Sequence, residues 1–62
     1  MENLVRRLQK DGELTVNTKN KAKAIIEAAR AYDKKWNIKD VDYGYYQVFK
    51  DSYIIKQINL GY

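Results

Sequence analysis

An apolar stripe at helical spacing between Lys19 and Trp36 constrains the fold of this chain more than any other feature. At about 100° per residue, its members fall within an arc of roughly 120°, which is the width typical of a helix that covers a core. The alanines in this segment also favour helix. We therefore predict one long amphipathic helix whose buried side comprises Ala22, Ile25, Ile26, Ala29, Tyr32 and Trp36.

Two shorter elements are predicted before the long helix. Residues 2–10 repeat leucine and valine at helical spacing, which predicts a short amphipathic helix that ends at Gly12. Residues 13–18 read ELTVNT and alternate polar with apolar side chains, which predicts a strand with Leu14 and Val16 towards the core. Both elements present an apolar side that the long helix can cover.

The second half of the chain predicts a β-hairpin. Tyr43–Phe49 and Tyr53–Leu60 are rich in aromatic and β-branched residues, and Lys50–Ser52 lies between them as a turn. We predict a tight turn in which Val48 opposes Tyr53. Because opposed residues share a face, one face then carries Tyr46, Val48, Tyr53 and Ile55. The other face then carries Tyr45, Gln47, Ile54 and Lys56, with Tyr43, Phe49 and Ile58 beside them.

The predicted fold is a single α+β domain over residues 1–62 in the order α-β-α-β-β. The long helix packs on one face of a three-stranded, mainly antiparallel sheet. Two topologies remain open: the first strand pairs with the last, in the order 1-3-2, or it lies parallel to the second strand after a right-handed crossover. The predicted core comprises Leu4, Leu8, Leu14, Val16, Ile25, Ile26, Ala29, Tyr32, Trp36, Val48, Ile55 and Ile58.

The composition argues against catalysis and against a metal centre. The chain has no cysteine and no histidine, so it lacks the usual partners of a nucleophile–base pair and of a zinc site. Its three glycines are isolated and form no phosphate-binding loop. Asp40 and Asp42 are too few to hold a calcium ion, and we interpret them as loop residues. We therefore expect no enzyme activity, no catalytic residue, no cofactor and no metal.

The net charge of +4 lies in the first part of the chain. Residues 1–36 hold nine Lys/Arg against five Asp/Glu, whereas residues 37–62 hold three against three. Four cations of the long helix fall within an arc of about 60°, and we call them the basic row: Lys19, Lys23, Arg30 and Lys34. Such a row can bind nucleic-acid phosphates or an acidic protein surface. It is also typical of an ordinary solvated helix face, with Glu27 interleaved.

Four tyrosines of the hairpin are the candidate partner-binding residues: Tyr43, Tyr45, Tyr46 and Tyr53. A three-stranded sheet with a helix on one face leaves its other face bare, and aromatic side chains there can anchor a protein. The same rings can stack on nucleic-acid bases, or they can complete the core. Few charges accompany them, which favours a protein contact over a phosphate contact.

These features predict a small non-enzymatic binding protein that regulates or inhibits a larger protein partner, which can itself be a nucleic-acid enzyme. Small basic proteins without cysteine are common among phage and mobile-element products. One alternative is a direct DNA- or RNA-binding protein that uses the basic row, and another is a self-associating module that forms a homodimer. We expect a cytoplasmic protein with no membrane partner, because no apolar run is long enough to span a membrane and no signal peptide is evident.

Overall fold

Helices and strands follow the predicted order α-β-α-β-β in the computed structural model, which describes residues 2–61. The elements are α1 (Glu2–Asp11), β1 (Glu13–Val16), α2 (Lys19–Lys35), β2 (Val41–Phe49) and β3 (Ser52–Asn59). The predicted α+β class is confirmed. Neither of the two helices is long and apolar enough to cross a membrane, a finding that covers residues 2–61.

The sheet has the strand order β1-β3-β2, and both pairings are antiparallel. The prediction in which the first strand pairs with the last is therefore confirmed, and the parallel alternative is wrong. Strand β3 lies in the centre, so β1 and β2 are the two edges. Both helices contribute to the same buried cluster as the strands, which places them on one face and leaves the other face bare.

The ends of the helices are set by specific residues. The Thr18 side chain accepts a hydrogen bond from the N–H of Lys21 at 3.1 Å and caps the start of α2. At the other end, Asn37 has a φ of 57°, and the N–H of Ile38 donates to the Asp33 carbonyl at 2.8 Å. This is a Schellman ending, and it stops α2 before Trp36.

The core contains most of the predicted residues. The buried hydrophobic residues are Val5, Leu8, Leu14, Val16, Ala22, Ile25, Ile26, Ala29, Tyr43 and Ile55. Leu4 and Tyr32, which were predicted in the core, are half-buried against this cluster. Val5 and Tyr43 are core residues that the prediction missed.

Three residues predicted in the core are exposed instead: Trp36, Val48 and Ile58. Trp36 follows the last helical residue, so its side chain leaves the apolar stripe and is 61% exposed. Val48 lies at an irregularity of β2, and Ile58 lies on the bare face of the sheet. The prediction is therefore wrong where the helix ends and where the hairpin register changes.

The hairpin register differs from the predicted one. Gln47, rather than Val48, opposes Tyr53, and Phe49 opposes Ser52, with a bulge between these two pairs. Because side chains alternate along a strand, one extra residue reverses the face on which its neighbours lie. The helix-covered face carries Tyr43, Tyr45, Gln47, Tyr53 and Ile55, and the bare face carries Gly44, Tyr46, Phe49, Ile54, Lys56 and Ile58.

Candidate functional site

The bare side of the sheet presents four large hydrophobic residues, which we call the open sheet face: Tyr46, Phe49, Ile54 and Ile58. Tyr46 is 48% exposed, Phe49 is 73% exposed and Ile58 is 47% exposed, while Ile54 is half-buried between its neighbours. The Lys56 ammonium lies 5.8 Å from the centre of the Tyr46 ring, within the range of a cation–π contact. Large apolar side chains exposed together on one face are typical of an interaction surface.

The four tyrosines do not share an exposed face, and this part of the prediction is wrong. Tyr43 is only 3% exposed. Tyr45 and Tyr53 are half-buried against the core, with their ring centres 6.1 Å apart. Only Tyr46 points away from the helices, because Gln47 and not Val48 opposes Tyr53.

The other members of the open sheet face, Phe49, Ile54 and Ile58, were predicted to share a face, but with Tyr43 and Tyr45 rather than with Tyr46. Phe49 opposes Ser52 across the turn, and the bulge before it brings its ring to the same face as Tyr46. Residues 45–52 include no glycine and no proline, so the sequence carries no ordinary signal of a bulge there. The sequence therefore predicted that one face of the sheet would expose hydrophobic residues, but not which residues they are.

Tyr43 belongs to a buried polar cluster that joins three elements of the fold. Its hydroxyl donates to Asp33 Oδ2 at 2.7 Å, and the Gln9 amide donates to Asp33 Oδ1 at 3.0 Å and to the Tyr43 hydroxyl at 3.4 Å. The pKa of Tyr43 is raised to about 12, chiefly by burial; the Gln9 amide opposes the rise and the Asp33 carboxylate adds to it. The cluster fixes α1, α2 and β2 against one another.

The basic row is exposed along its whole length, as the helical wheel predicted. Its four members are not equivalent. Arg30 Nε lies 3.1 Å from Asp42 Oδ1, and the Arg30 guanidinium also donates to the Tyr43 carbonyl at 3.3 Å. Within residues 2–61, Lys19, Lys23 and Lys34 form no ion pair.

Asp42 was interpreted as a loop residue but lies in β2. Its carboxylate accepts the N–H of Tyr43 at 2.8 Å as well as the bond from Arg30. The Tyr43 N–H, followed by the Arg30 guanidinium, lowers the pKa of Asp42 below its usual value of 3.8. No group of three potential metal ligands comes together in the part of the chain that the structure describes.

The basic row and the hairpin meet along the edge of the sheet. A groove of about 350 Å³ runs between α2 and β2, with Lys23, Ile26, Glu27, Arg30, Tyr43, Gly44 and Tyr45 in its walls. In the sequence the cations and the tyrosines are separate features, because no local pattern shows how α2 is rotated about its axis relative to the sheet. The structure places Lys23 and Arg30 beside Tyr43 and Tyr45, whereas Tyr46 lies on the bare face of the sheet.

A comparison of the chain with protein-family models finds no match, and comparisons with curated proteins and with solved structures find no significant similarity.

Proposed function

We propose that this chain is a small non-enzymatic binding protein that regulates or inhibits a larger protein partner, and that it contacts the partner with the open sheet face. The observation that carries the proposal is the exposure of Tyr46, Phe49 and Ile58 on one face of a rigid sheet. Aromatic side chains are the usual anchors of protein interfaces, since they bury a large area and lose little conformational entropy.

The charges around the open sheet face favour a protein over a nucleic acid. Lys56 is the one cation among the described strand residues of this face, and Glu13 opposes it on β1. Base stacking on an aromatic platform works together with cations that follow the phosphate backbone. Here the aromatic surface and the basic row lie on different sides of the molecule, so one strand of nucleic acid would not meet both.

The size of the molecule suits a regulator that acts by covering a surface. A standard protein interface buries about 800 Å² on each partner, which is about a sixth of the 4745 Å² surface of this chain. Contact through the open sheet face would therefore occupy one whole side of the domain. A cytoplasmic partner is part of the proposal, because a chain without cysteine suits a reducing compartment.

Affinity capture from the cells that make the protein tests this proposal. The baits are the wild type, the double variant Tyr46→Ala with Phe49→Ala, and Trp36→Ala as a matched control, since Trp36 is an exposed aromatic residue away from the face. We expect one larger protein to be retained by the wild type and by the control but lost with the double variant. Equal retention by all three baits would contradict the proposal.

Direct binding of DNA or RNA is the second candidate, favoured by the three lysines of the basic row that have no ionic partner within residues 2–61. Fluorescence anisotropy with labelled single- and double-stranded DNA and RNA, at low and near-physiological salt, tests it. Micromolar binding that weakens with a clear log–log salt slope, and that is abolished in Lys23→Glu with Arg30→Glu, would favour this candidate. Our proposal predicts no binding at near-physiological salt.

A further inference from the structure

The backbone of β2 offers hydrogen-bonding groups at the outer edge of the sheet. At the start of β2, the Leu60 N–H donates to the Asp40 carbonyl at 2.9 Å, so this pair of residues is hydrogen-bonded. The N–H of Gln57, which opposes Tyr43, points away from β2 and donates to the Gly12 carbonyl at 2.9 Å. In an antiparallel pair, bonded and non-bonded positions alternate. From Val41 to Gln47, before the bulge, the even-numbered residues of β2 therefore bond to β3, and the odd-numbered residues direct their N–H and C=O groups outwards.

The outward groups of Tyr43 are already occupied. Its N–H donates to Asp42 Oδ1 at 2.8 Å, and its carbonyl accepts from Arg30 Nη2 at 3.3 Å. Arg30 and Asp42 also bond to each other at 3.1 Å, so the two side chains form a clamp over this position. Natural sheets use charged side chains in this way to keep an edge from pairing with other strands.

The clamp covers only one position of the edge. Between residues 2 and 61, no side chain bonds to the outward backbone groups of Tyr45 or Gln47. These two residues follow Tyr43 along β2, on the side away from the clamp residue Asp42, and Tyr45 lines the groove between α2 and β2. The free part of the edge is therefore next to a cavity that can receive side chains.

The charges along this edge are mainly positive. Lys23 and Arg30 line the groove beside Tyr45, and Lys34 and Lys39 line a second groove of about 280 Å³ that continues beside Val41. The exposed carboxylate in these walls is Glu27. Asp42 forms an ion pair with Arg30, and Asp33 is buried and accepts hydrogen bonds from Gln9 and Tyr43.

We propose that the free edge of β2, at Tyr45 and Gln47, binds an extended acidic segment of a protein partner by adding it as a fourth strand. Main-chain hydrogen bonds to the outward groups of these two residues hold the segment, and alternate side chains set the specificity. Carboxylates on the helix side of the added strand meet Lys23 and the rest of the basic row. The cations make this edge selective for acidic segments.

A second copy of the chain fits this edge less well. Antiparallel pairing of two β2 strands would extend the sheet and would place both copies of α2 on the same side. The two basic rows would then lie close together, and like charges repel. The same cations that attract an acidic segment therefore work against edge-to-edge dimers.

This inference rests on the proposed protein-binding function but uses a different surface. The open sheet face and the edge respond to different substitutions, which separates the two proposals. Tyr46→Ala changes the open sheet face and leaves the outward groups of Gln47 in place. Gln47→Pro removes an outward N–H that bonds to no other strand, at a bulge where proline is tolerated.

A titration followed by amide chemical shifts tests the inference. The probe is a ten-residue peptide of alternating glutamate and valine, and the control peptide has lysine in place of glutamate. We expect the acidic peptide to shift the amides of Tyr45 and Gln47 and the lysine peptide to have no effect. Gln47→Pro should weaken binding about tenfold relative to Gln47→Ala, since it removes one main-chain bond. Lys23→Glu should weaken binding as well, and Tyr46→Ala should not.

Three results would overturn the inference. The first is that the acidic peptide does not bind at about 1 mM. Its binding free energy would then be weaker than about −4 kcal/mol. The second is binding that Tyr46→Ala removes and Gln47→Pro does not, which would assign the peptide to the open sheet face. The third is dimerisation through β2 without peptide, seen by sedimentation and removed by Gln47→Pro. Retention of the captured partner by the Tyr46→Ala with Phe49→Ala variant, together with intact peptide binding, would refute the proposed open-face contact alone.

Discussion

Substitution of Tyr43 by phenylalanine removes one oxygen from the buried polar cluster and leaves the ring in place. The hydroxyl donates to Asp33 Oδ2 at 2.7 Å, and both residues are almost completely buried. Without it, Asp33 keeps a single side-chain donor, the amide of Gln9 at 3.0 Å. A hydrogen bond to a charged group contributes about 1.5–3 kcal/mol, and an unsatisfied buried group costs about the same. We therefore expect the free energy of unfolding to fall by about 2–3 kcal/mol.

That loss is large for a chain of this size. At about 0.05–0.15 kcal/mol per residue, a domain of 62 residues has a free energy of unfolding of roughly 3–9 kcal/mol. The midpoint of thermal unfolding should fall by roughly 10–20 °C. Urea denaturation followed by circular dichroism measures the change. In an Asp33→Asn background the cost of Tyr43→Phe should fall to about 1 kcal/mol, because the bond is then between neutral groups.

The pH dependence provides an independent check. The unfolded tyrosine loses its proton near pH 10, whereas burial holds the pKa of folded Tyr43 at about 12. Between these values the unfolded state binds fewer protons, so the stability from Tyr43 is complete below about pH 10 and falls as the pH rises towards 12. The difference in stability between the wild type and Tyr43→Phe should narrow over this range. A loss below about 0.5 kcal/mol at pH 7, or a pH-independent difference, would contradict the stabilising role of the Tyr43 hydroxyl.

Three further substitutions have defined outcomes. Thr18→Ala removes the helix cap and should lower the free energy of unfolding by about 1 kcal/mol in urea, whereas Thr18→Ser should have little effect. Ile55→Ala empties the centre of the core and should cost roughly 2–5 kcal/mol; a cost near zero would mean that the central strand is misplaced. Asp42→Ala should speed amide exchange at Tyr43, because the clamp is lost. In a pH titration by NMR, the pKa of Asp42 should lie below 3.8 and should rise in Arg30→Ala.

The helices and the order of elements follow from local patterns. The apolar stripe of α2 is wide and regular, and Thr18 and Gly12 supply the start and stop signals expected at helix ends. The hairpin follows from its β-branched and aromatic residues. Which hairpin strand the short β1 joins does not follow from these patterns, because its backbone groups can be satisfied beside either strand; in the structure β1 pairs with β3.

The register of the hairpin does not follow from the sequence. With a side-chain period of two, a single bulged residue between Gln47 and Phe49 moves every later side chain to the opposite face. Tyrosine is compatible with either face, because its ring packs and its hydroxyl tolerates water. Tyr43 can be buried because its hydroxyl donates to Asp33, which also accepts a hydrogen bond from Gln9. These three residues are far apart in the sequence, so no local pattern predicts that they meet.

Site-specific photo-crosslinking tests the proposed contact between the open sheet face and a larger protein. A benzophenone side chain replaces Tyr46 in one variant and Trp36 in another, since both positions hold exposed aromatic rings. The cells that make the protein are irradiated, and the products are separated by mass. We expect one discrete crosslink to a larger protein from position 46 and none from position 36. Equal crosslinking from both positions, or crosslinks to nucleic acid alone, would contradict the proposed contact.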